Sequence, residues 1–233
     1  MNPIIQVTDL RFAFAGTAFR LRIDELSVQP GESVALIGPS GSGKTTLLHL
    51  IAGVLLPAAG CLMVDGIDVT SLDDASRRDF RIRQIGMVFQ EFELLEHLSV
   101  LDNILLPYRI SPSLALTDHV IDRATALAVS VDIGDKKQRF TGRLSQGERQ
   151  RVAVCRALVT EPKLVFADEP TGNLDPNNKW KVLEILLDDC QSRGSTLITV
   201  THDHELLDRF DRVIDFASYH SEAASEDSAE AVG

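Results

Sequence analysis

Cysteine and positive charge are scarce in this sequence, and each shortage excludes a class of protein. Three cysteines occur among 233 residues, at Cys61, Cys155 and Cys190, without C-x-x-C spacing. A disulfide framework or a cysteine zinc site is therefore not expected, and a reducing cytosol fits best. Lys and Arg together number 23 against 34 Asp and Glu, a formal net charge of −11. Because nucleic-acid binders normally carry a basic face, we expect no nucleic-acid partner.

Long hydrophobic runs are also missing. The longest apolar stretch, near residues 54–64, contains Pro57 and Gly60 and is too short to span a bilayer. The first five residues lack a basic region followed by an apolar core, so we expect no signal peptide. If the protein acts at a membrane, another chain must supply the membrane-spanning part. Residues 219–233 are mostly Ser, Ala and Glu and predict a disordered acidic tail.

The most informative stretch present runs from Gly38 to Thr45 and fits G-x-x-x-x-G-K-[ST], the phosphate-binding loop of nucleotide hydrolases. An apolar run at 34–37 predicts a buried strand before it, and residues 46–52 predict a helix after it. Glycines let backbone N–H groups turn toward phosphate oxygens, and the helix N-terminus adds partial positive charge. We expect Lys44 to reach the β- and γ-phosphates and the Thr45 hydroxyl to hold Mg²⁺. The residues expected to contact the nucleotide here are Gly38, Ser40, Gly41, Ser42, Gly43, Lys44, Thr45 and Thr46.

Two further stretches carry chemistry that complements the phosphate loop. Residues 164–167 predict an apolar strand, which ends in two carboxylates, Asp168 and Glu169. Asp168 can bind Mg²⁺ beside the loop, and Glu169 can accept a proton from water attacking the γ-phosphate. Ser145 and Gly147 open a predicted helix whose free N–H groups can bind an anion. Together these stretches predict a nucleotide hydrolase.

Hydrophobic periodicity predicts an α/β protein with a helical insertion. Residues 4–12 and 19–28 alternate apolar and polar residues, and 60–64 predicts a hairpin strand, which together suggest an antiparallel sheet. Elsewhere strands and helices alternate, as is typical of a parallel sheet with helices on its faces. The other predicted elements are strands at 85–89, 164–167 and 196–200, and helices at 73–83, 99–106, from 117, 146–158, 177–191 and 204–209.

In this order the motifs resemble those of the ATP-binding cassette (ABC) ATPases, over roughly residues 4–216. Gln90 matches the family's glutamine loop, and residues 144–148 match its signature, usually Leu-Ser-Gly-Gly-Gln. Residues 173–175 match the loop that crosses to the partner subunit, and His202 matches the switch histidine. The resemblance implies an ATPase with ATP and Mg²⁺ as its cofactors.

The resemblance also implies a fold and a domain organisation. We expect a P-loop NTPase (RecA-like) α/β core with an antiparallel β subdomain and an inserted α-helical subdomain. The expected single ABC ATPase domain covers residues 1–218, with the insertion at about 91–158.

A head-to-tail dimer with two ATP molecules between the subunits is the family's arrangement. Ser145 and Gly147 of one subunit would then cap the γ-phosphate bound to the Lys44 of the other. Two residues depart from the signature, since Gln146 replaces the usual glycine and Glu148 the usual glutamine. The phosphate contact should survive because Ser145 and Gly147 remain. The partner in the dimer is a second copy or a sibling cassette.

Roles for the remaining site residues follow from the same resemblance. Glu169 would be the general base, with His202 orienting it and hydrogen-bonding the γ-phosphate. Gln90 would touch Mg²⁺ or the attacking water, and Asp175 would approach the nucleotide from the crossing loop. Phe14 fits the aromatic residue that stacks on adenine, although packing in the core, on one strand face with other apolar residues, explains it nearly as well.

One branch of the family is favoured by residues 170–175 and 89–104, which resemble the ATPase subunits of lipoprotein-releasing and macrolide- or peptide-exporting systems and a related cell-division ATPase. The branch implies a separate integral membrane permease and a cytoplasmic position on the inner face of the membrane. Phe92, Leu94 and Leu95 would anchor a short helix of that partner, or would simply form the core of the helical subdomain. The alternative is a soluble ABC ATPase of an iron–sulfur assembly scaffold, which residues 170–175 disfavour.

Overall fold

The computed structural model describes residues 2–172 and 174–219, which form two β-sheets and seven α-helices. The strands are β1 (Ile5–Ala13), β2 (Arg20–Val28), β3 (Ser33–Ile37), β4 (Ala59–Val64), β5 (Ile67–Asp68), β6 (Ile85–Val88), β7 (Leu164–Asp168), β8 (Thr196–Val200) and β9 (Arg212–Asp215). The helices are α1 (Lys44–Ile51), α2 (Asp74–Gln84), α3 (Val100–Ile104), α4 (Leu106–Ile110), α5 (Asp118–Ser130), α6 (Gln146–Leu158) and α7 (Pro176–Arg193). Short 3₁₀ turns connect several of them, including the one over His204–Arg209, where the sequence predicts a short helix.

The first sheet is antiparallel, as predicted, with strand order β2-β1-β4-β5. A bulge interrupts β1 at Asp9, whose φ is 50°, and shifts its register against β4. Gly60 allows this close approach, because a Cβ there would lie 2.6 Å from the Asp9 carbonyl oxygen. Phe14 follows the end of β1 and is 41% exposed. The Phe14 ring packs against that of Phe12, with centroids 4.8 Å apart, but is not buried with it, which favours the first of the two interpretations of Phe14.

The second sheet is parallel throughout, with strand order β6-β7-β8-β3-β9. Its central strands β3, β7 and β8 are apolar and buried, since helices or the first sheet cover both faces. The carboxyl ends of parallel strands meet at one edge, which is where ligands bind in open α/β sheets. The phosphate loop and the predicted catalytic residues follow these strand ends. Strand β9, which pairs with β3 at the sheet edge, has no counterpart in the sequence prediction.

Two groups of buried apolar residues lie on opposite faces of the parallel sheet. One group packs the antiparallel sheet and α1 against the parallel sheet. The other packs helices α3, α5, α6 and α7 against the opposite face of the parallel sheet. Helix α6 lies so close to β6 that a Cβ at Gly86 would overlap the carbonyl oxygen of Ala157. This contact fixes the C-terminal half of α6 against the sheet.

The predicted helix at 99–106 is two helices, because α3 ends at Ile104 and α4 begins at Leu106 with Pro107 in its first turn. Proline has no N–H for the preceding turn, so the helix breaks there. Helix α5 begins as predicted, with the Thr117 side chain accepting from the backbone of Val120.

The chain remains folded up to the last residue described. Tyr219, where the predicted tail begins, packs its ring 5.2 Å from that of Phe216, and the rest of the predicted tail lies outside the described residues. Among the described helices, none combines the length and apolarity needed to cross a bilayer.

Candidate functional site

The phosphate loop connects β3 to α1 and takes its shape from glycines. Gly41 and Gly43 have φ values of 78° and 100°, which are unfavourable for residues with a side chain. A Cβ at Gly43 would also lie 3.1 Å from the ring of Phe19. Because Gly43 provides no side-chain cap for α1, the first N–H groups of that helix remain available to an anion.

Lys44 spans this loop from inside. Its side chain is 6% exposed, and its Nζ donates to the carbonyl oxygens of Gly38 at 2.8 Å and Pro39 at 2.9 Å. Burial lowers the pKa of Lys44, while the nearby charges of Glu169 and Asp168 act in the opposite direction. The ammonium group therefore lies at the centre of the loop, close to both strand-end carboxylates.

Thr45 and Asp168 meet although 123 positions separate them in the sequence. The Thr45 hydroxyl donates to Asp168 Oδ2 at 2.7 Å. Magnesium prefers oxygen ligands of this kind, a hydroxyl and a carboxylate supplemented by phosphate and water. The pair therefore fits Mg²⁺, and Gln90 lines the same cavity.

Glu169 and His202 form the second pair. Glu169 Oε1 lies 3.1 Å from His202 Nε2. Glu169 has a left-handed backbone with φ of 48°, and its N–H donates to the carbonyl of Val200 at 3.0 Å. This unusual conformation for a glutamate places its carboxylate at the end of β7, where His202 reaches it from the end of β8. A strained residue at a strand end is typical of a functional position.

A cavity of about 370 Å³ brings these groups together. Its lining includes eleven residues that the sequence predicts for the site: Phe14, Ser40, Gly41, Gly43, Lys44, Thr45, Thr46, Gln90, Asp168, Glu169 and His202. Gly38 and Ser42 lie in the same loop and contact Lys44. The lining residues Thr17, Phe19 and Val200 are missing from the sequence prediction.

Two aromatic rings form one wall of the cavity. Phe14 and Phe19 have ring centroids 5.5 Å apart. Thr17 shapes the turn between them, since its hydroxyl donates to the Phe14 carbonyl at 3.1 Å and accepts from the Phe19 N–H at 3.3 Å. Threonine commonly caps turns in this way, which was a usable signal for Thr17. An aromatic pair beside a phosphate loop, with Phe14 exposed and Phe19 partly buried, is suited to a flat base.

The predicted signature residues lie elsewhere, at the N-terminus of α6. Ser145 caps the helix through a capping box: its hydroxyl accepts from Glu148 N at 3.3 Å, and Glu148 Oε2 accepts from Ser145 N at 2.7 Å. Glu148 also pairs with Lys136 at 2.6 Å. The hydrogen bond from Lys136 is the largest cause that lowers the Glu148 pKa to about 2. The acid that departs from the usual signature therefore stabilises the helix start.

Ser145 is exposed and does not reach the phosphate cavity of its own chain. Gly147 packs beside Leu174, where a Cβ would come within 3.2 Å of that side chain. Asp175 caps α7 by accepting from Asn178 N at 3.2 Å. The signature and the crossing loop are thus neighbours, whereas Asn173 lies outside the described residues.

These features define a phosphate-loop nucleotide site, and comparison with known proteins identifies its family. The ABC transporter family model matches residues 21–172. An uncharacterised ABC transporter ATP-binding protein of Mycobacterium tuberculosis is 43% identical, with 91% of this chain and 86% of the relative covered. The lipoprotein-releasing system ATP-binding protein LolD of Hyphomonas neptunium is 37% identical over 92% of this chain and 94% of its own.

Macrolide export ATP-binding/permease protein MacB of Rhodopirellula baltica is 43% identical over 81% of this chain but only 28% of MacB. Among solved structures, a dimeric post-hydrolysis state of the ATP-binding cassette MJ0796 bound to ADP and Pi has a TM-score of 0.81 and 29% identity, covering 91% of this chain and 93% of that one. The chain belongs to the ABC transporter family, in which it is an ATP-binding subunit and an ATPase. The predicted fold class and the resemblance to the lipoprotein-releasing and macrolide-export branch are confirmed.

Proposed function

We propose that this chain hydrolyses ATP at the β7–β8 edge and uses the energy to drive a separate membrane permease. The observation that carries the proposal is the placement of Glu169, which His202 holds at 3.1 Å on the same cavity as Lys44 and Thr45. A carboxylate so placed can take the proton of a water that attacks the γ-phosphate. Glu169 is the general base in this proposal, and His202 orients it.

The other side chains bind and orient the nucleotide. Lys44 exchanges its carbonyl partners for the β- and γ-phosphates, and the free N–H groups of α1 bind the same anion. Thr45 and Asp168 would hold Mg²⁺, with Gln90 beside them, and a cation bound there would neutralise charge that develops on the phosphate. Phe14, exposed on the cavity wall, stacks on the adenine.

A second copy, or a sibling cassette, completes the site. Ser145 caps a 13-residue helix, is exposed, and does not line its own phosphate cavity. A helix N-terminus with a serine hydroxyl is suited to an anion. A head-to-tail dimer would bring Ser145 and Gly147 onto the γ-phosphate of the partner, with Asp175 nearby. The dimeric arrangement of the MJ0796 cassette with ADP and Pi supports this assembly.

The permease docks, in this proposal, on an apolar groove of about 580 Å³ between α2, β6, α4 and α6. Val54 and Ile110 line the groove and are 50% and 65% exposed. Phe92 and Leu94 pack instead against the core of the helical part, which favours the second of the two interpretations of these residues. The protein would then lie on the inner face of the membrane through its partner, and the relatives in lipoprotein release and macrolide export support this role.

Replacing the base while keeping its shape tests the hydrolytic part of the proposal. Glu169→Gln should still bind ATP and form an ATP-dependent dimer, but turnover should fall by about 10²–10⁴-fold. Phosphate release measures turnover, and light scattering measures the dimer. Glu184→Gln, an exposed carboxylate on α7, is the matched control and should hydrolyse ATP normally. Near-normal hydrolysis by Glu169→Gln would refute the assignment.

A further inference from the structure

A buried arginine near the C-terminus of α6 grips the loop that carries Gln90. Arg156 is 9% exposed. Its Nη2 donates to the carbonyl oxygen of Phe92 at 2.6 Å, and its Nη1 donates to that of Glu93. The two nitrogens of the guanidinium fork thus bind consecutive carbonyls. Lysine, with a single ammonium group, cannot reproduce this geometry.

The gripped loop needs such support because its backbone is strained. Phe92 and Glu93 both have positive φ, at 63° and 49°. Left-handed backbone is unfavourable for residues with a Cβ, so two in succession persist only when the surroundings hold them. The turn is tight, since Phe92 N donates to Phe89 O at 3.1 Å and Glu93 N to Glu91 O at 2.7 Å. Gln90 lies within this turn and lines the phosphate cavity.

Arg156 keeps its charge where it lies. Burial lowers its pKa to about 10, and the charge of Glu93 acts in the opposite direction. The group therefore remains protonated at neutral pH and can donate both hydrogen bonds. Among the described residues, no carboxylate forms a salt bridge with Arg156, so the carbonyls of the loop are its partners. Because both hydrogen bonds of this buried guanidinium go to backbone carbonyls, they restrict where the backbone of the loop can lie.

The same helix carries Ser145 at its opposite end. Helix α6 has 13 residues, which is about 20 Å at 1.5 Å per residue. Gly86 leaves no room between β6 and the end of α6, so this end cannot slide over the sheet. A tilt of α6 that follows contact at Ser145 would therefore pivot about this end and reorient the Arg156 side chain together with the carbonyls that it holds.

We propose that Arg156 is a positioning residue that sets Gln90 in its own ATP site and makes that position depend on α6, whose Ser145 closes the ATP site of the partner. The inference rests on the proposed dimeric ATPase and adds a direct link between its two sites. Arg156 touches no nucleotide. It acts through the loop at 89–93.

A double-mutant cycle separates positioning from general support of the fold. Arg156→Lys should lower kcat by about ten- to a hundredfold, the loss typical of a small misplacement, with the KM for ATP nearly unchanged. In a Gln90→Ala background, Arg156→Lys should change kcat by less than about twofold, because the group it positions is gone. An equal fold-loss in both backgrounds would overturn the inference.

Hydrogen exchange supplies a readout that does not depend on activity. In a Glu169→Gln background, ATP should slow the exchange of the amides at 91–95, and Arg156→Lys should abolish this slowing. Arg77→Lys is the matched control: it changes another partly buried arginine, which donates to a backbone carbonyl, that of Leu72, at 2.6 Å, and should leave the slowing intact. Slowing that persists in Arg156→Lys would contradict the inference. Failure of the proposed function itself would appear earlier, as a Glu169→Gln protein that forms no ATP-dependent dimer.

Discussion

At the scale of single residues, five side chains of the site are paired within the protein. Lys44 donates to loop carbonyls, Thr45 donates to Asp168, and His202 contacts Glu169. Such pairing restricts the rotamers, so less conformational entropy would be lost when a ligand binds. Contacts within the protein therefore organise the site.

His202 and His204 offer a matched test of this organisation. His202→Ala should lower kcat by roughly ten- to a hundredfold, because Glu169 loses the contact that orients it, while ATP affinity changes little. Steady-state kinetics with a binding titration measures both quantities. His204→Ala, two positions on and also exposed, should retain normal kcat. Equal losses in the two variants would contradict the orienting role of His202.

The sequence predicted most residues of the site because their motifs follow apolar strands. The apolar runs before Gly38 and Asp168 identify strand ends, and parallel strand ends share one edge of a sheet. The pairing of Thr45 with Asp168 spans 123 positions, and no local pattern encodes it. Arg156 was not predicted, since the sequence gives its charge but not its burial. Phe19 was missed because a single aromatic at the start of a strand carries no distinct signal.

At the scale of elements, helix α6 joins two functions, since its first turn carries the signature and its last turns pack on β6. The capping box between Ser145 and Glu148 satisfies two N–H groups at the helix start. Lys136, from a neighbouring 3₁₀ turn, adds its charge to Glu148. These contacts hold the exposed start of the helix in place.

The Glu148 pair predicts a pH dependence of stability. Lys136, through its hydrogen bond, lowers the pKa of Glu148 from 4.5 to about 2. The ionised carboxylate thus stabilises the fold above pH 4.5, and this contribution is lost as the pH falls toward 2. The free energy of unfolding of the unsubstituted protein should exceed that of the Glu148→Gln variant by about 2 kcal/mol at pH 7. Near pH 3 the difference should be about half as large.

Urea denaturation between pH 7 and pH 3 measures the difference. Glu96→Gln is the control, because Glu96 is 70% exposed in its pair with Arg149 and should change stability by less than about 0.5 kcal/mol. A difference between Glu148 and Glu148→Gln that grows as the pH falls would contradict the assigned direction of the pKa shift.

Element boundaries show where sequence reasoning succeeded and where it failed. Apolar residues recur at regular spacing in the long strands β1 and β2 and in helix α6. The predicted limits of these elements agree with the structure to within two residues. Strand β9 was missed because its residues alternate half-buried with exposed over only four positions at a sheet edge. The division between α3 and α4 depends on Pro107, whose effect on the preceding turn was overlooked.

At the scale of the whole molecule, we assign two parts of the acidic chain to partners. One consists of Ser145 and the phosphate cavity, which would both face the second cassette. The other is the apolar groove between α2, β6, α4 and α6, and we assign it to the permease. Helix α6 contributes to both, since Ser145 lies at its start and Ala157 lines the groove.

A charge placed in the groove tests the second assignment. Ile110→Glu should abolish copurification with a multi-spanning membrane protein in detergent, because docking would bury an unpaired carboxylate. Its own ATPase activity should remain within about twofold of normal, since Ile110 lies outside the phosphate cavity. Val129→Glu, on α5 and 60% exposed, is the matched control and should still copurify. Retention of the membrane partner by Ile110→Glu would remove the groove from the proposed interface.

The tether of Lys44 to the carbonyl oxygens of Gly38 and Pro39 has a consequence for repeated turnover. In the proposed cycle, the ammonium group would exchange these neutral oxygens for a polyanion when ATP enters, and it would return to them when product departs. Release of the product would therefore leave no unpaired buried cation, and the phosphate loop would keep its conformation between cycles. Because the loop itself supplies alternative partners for Lys44, each turnover can begin from the same loop conformation.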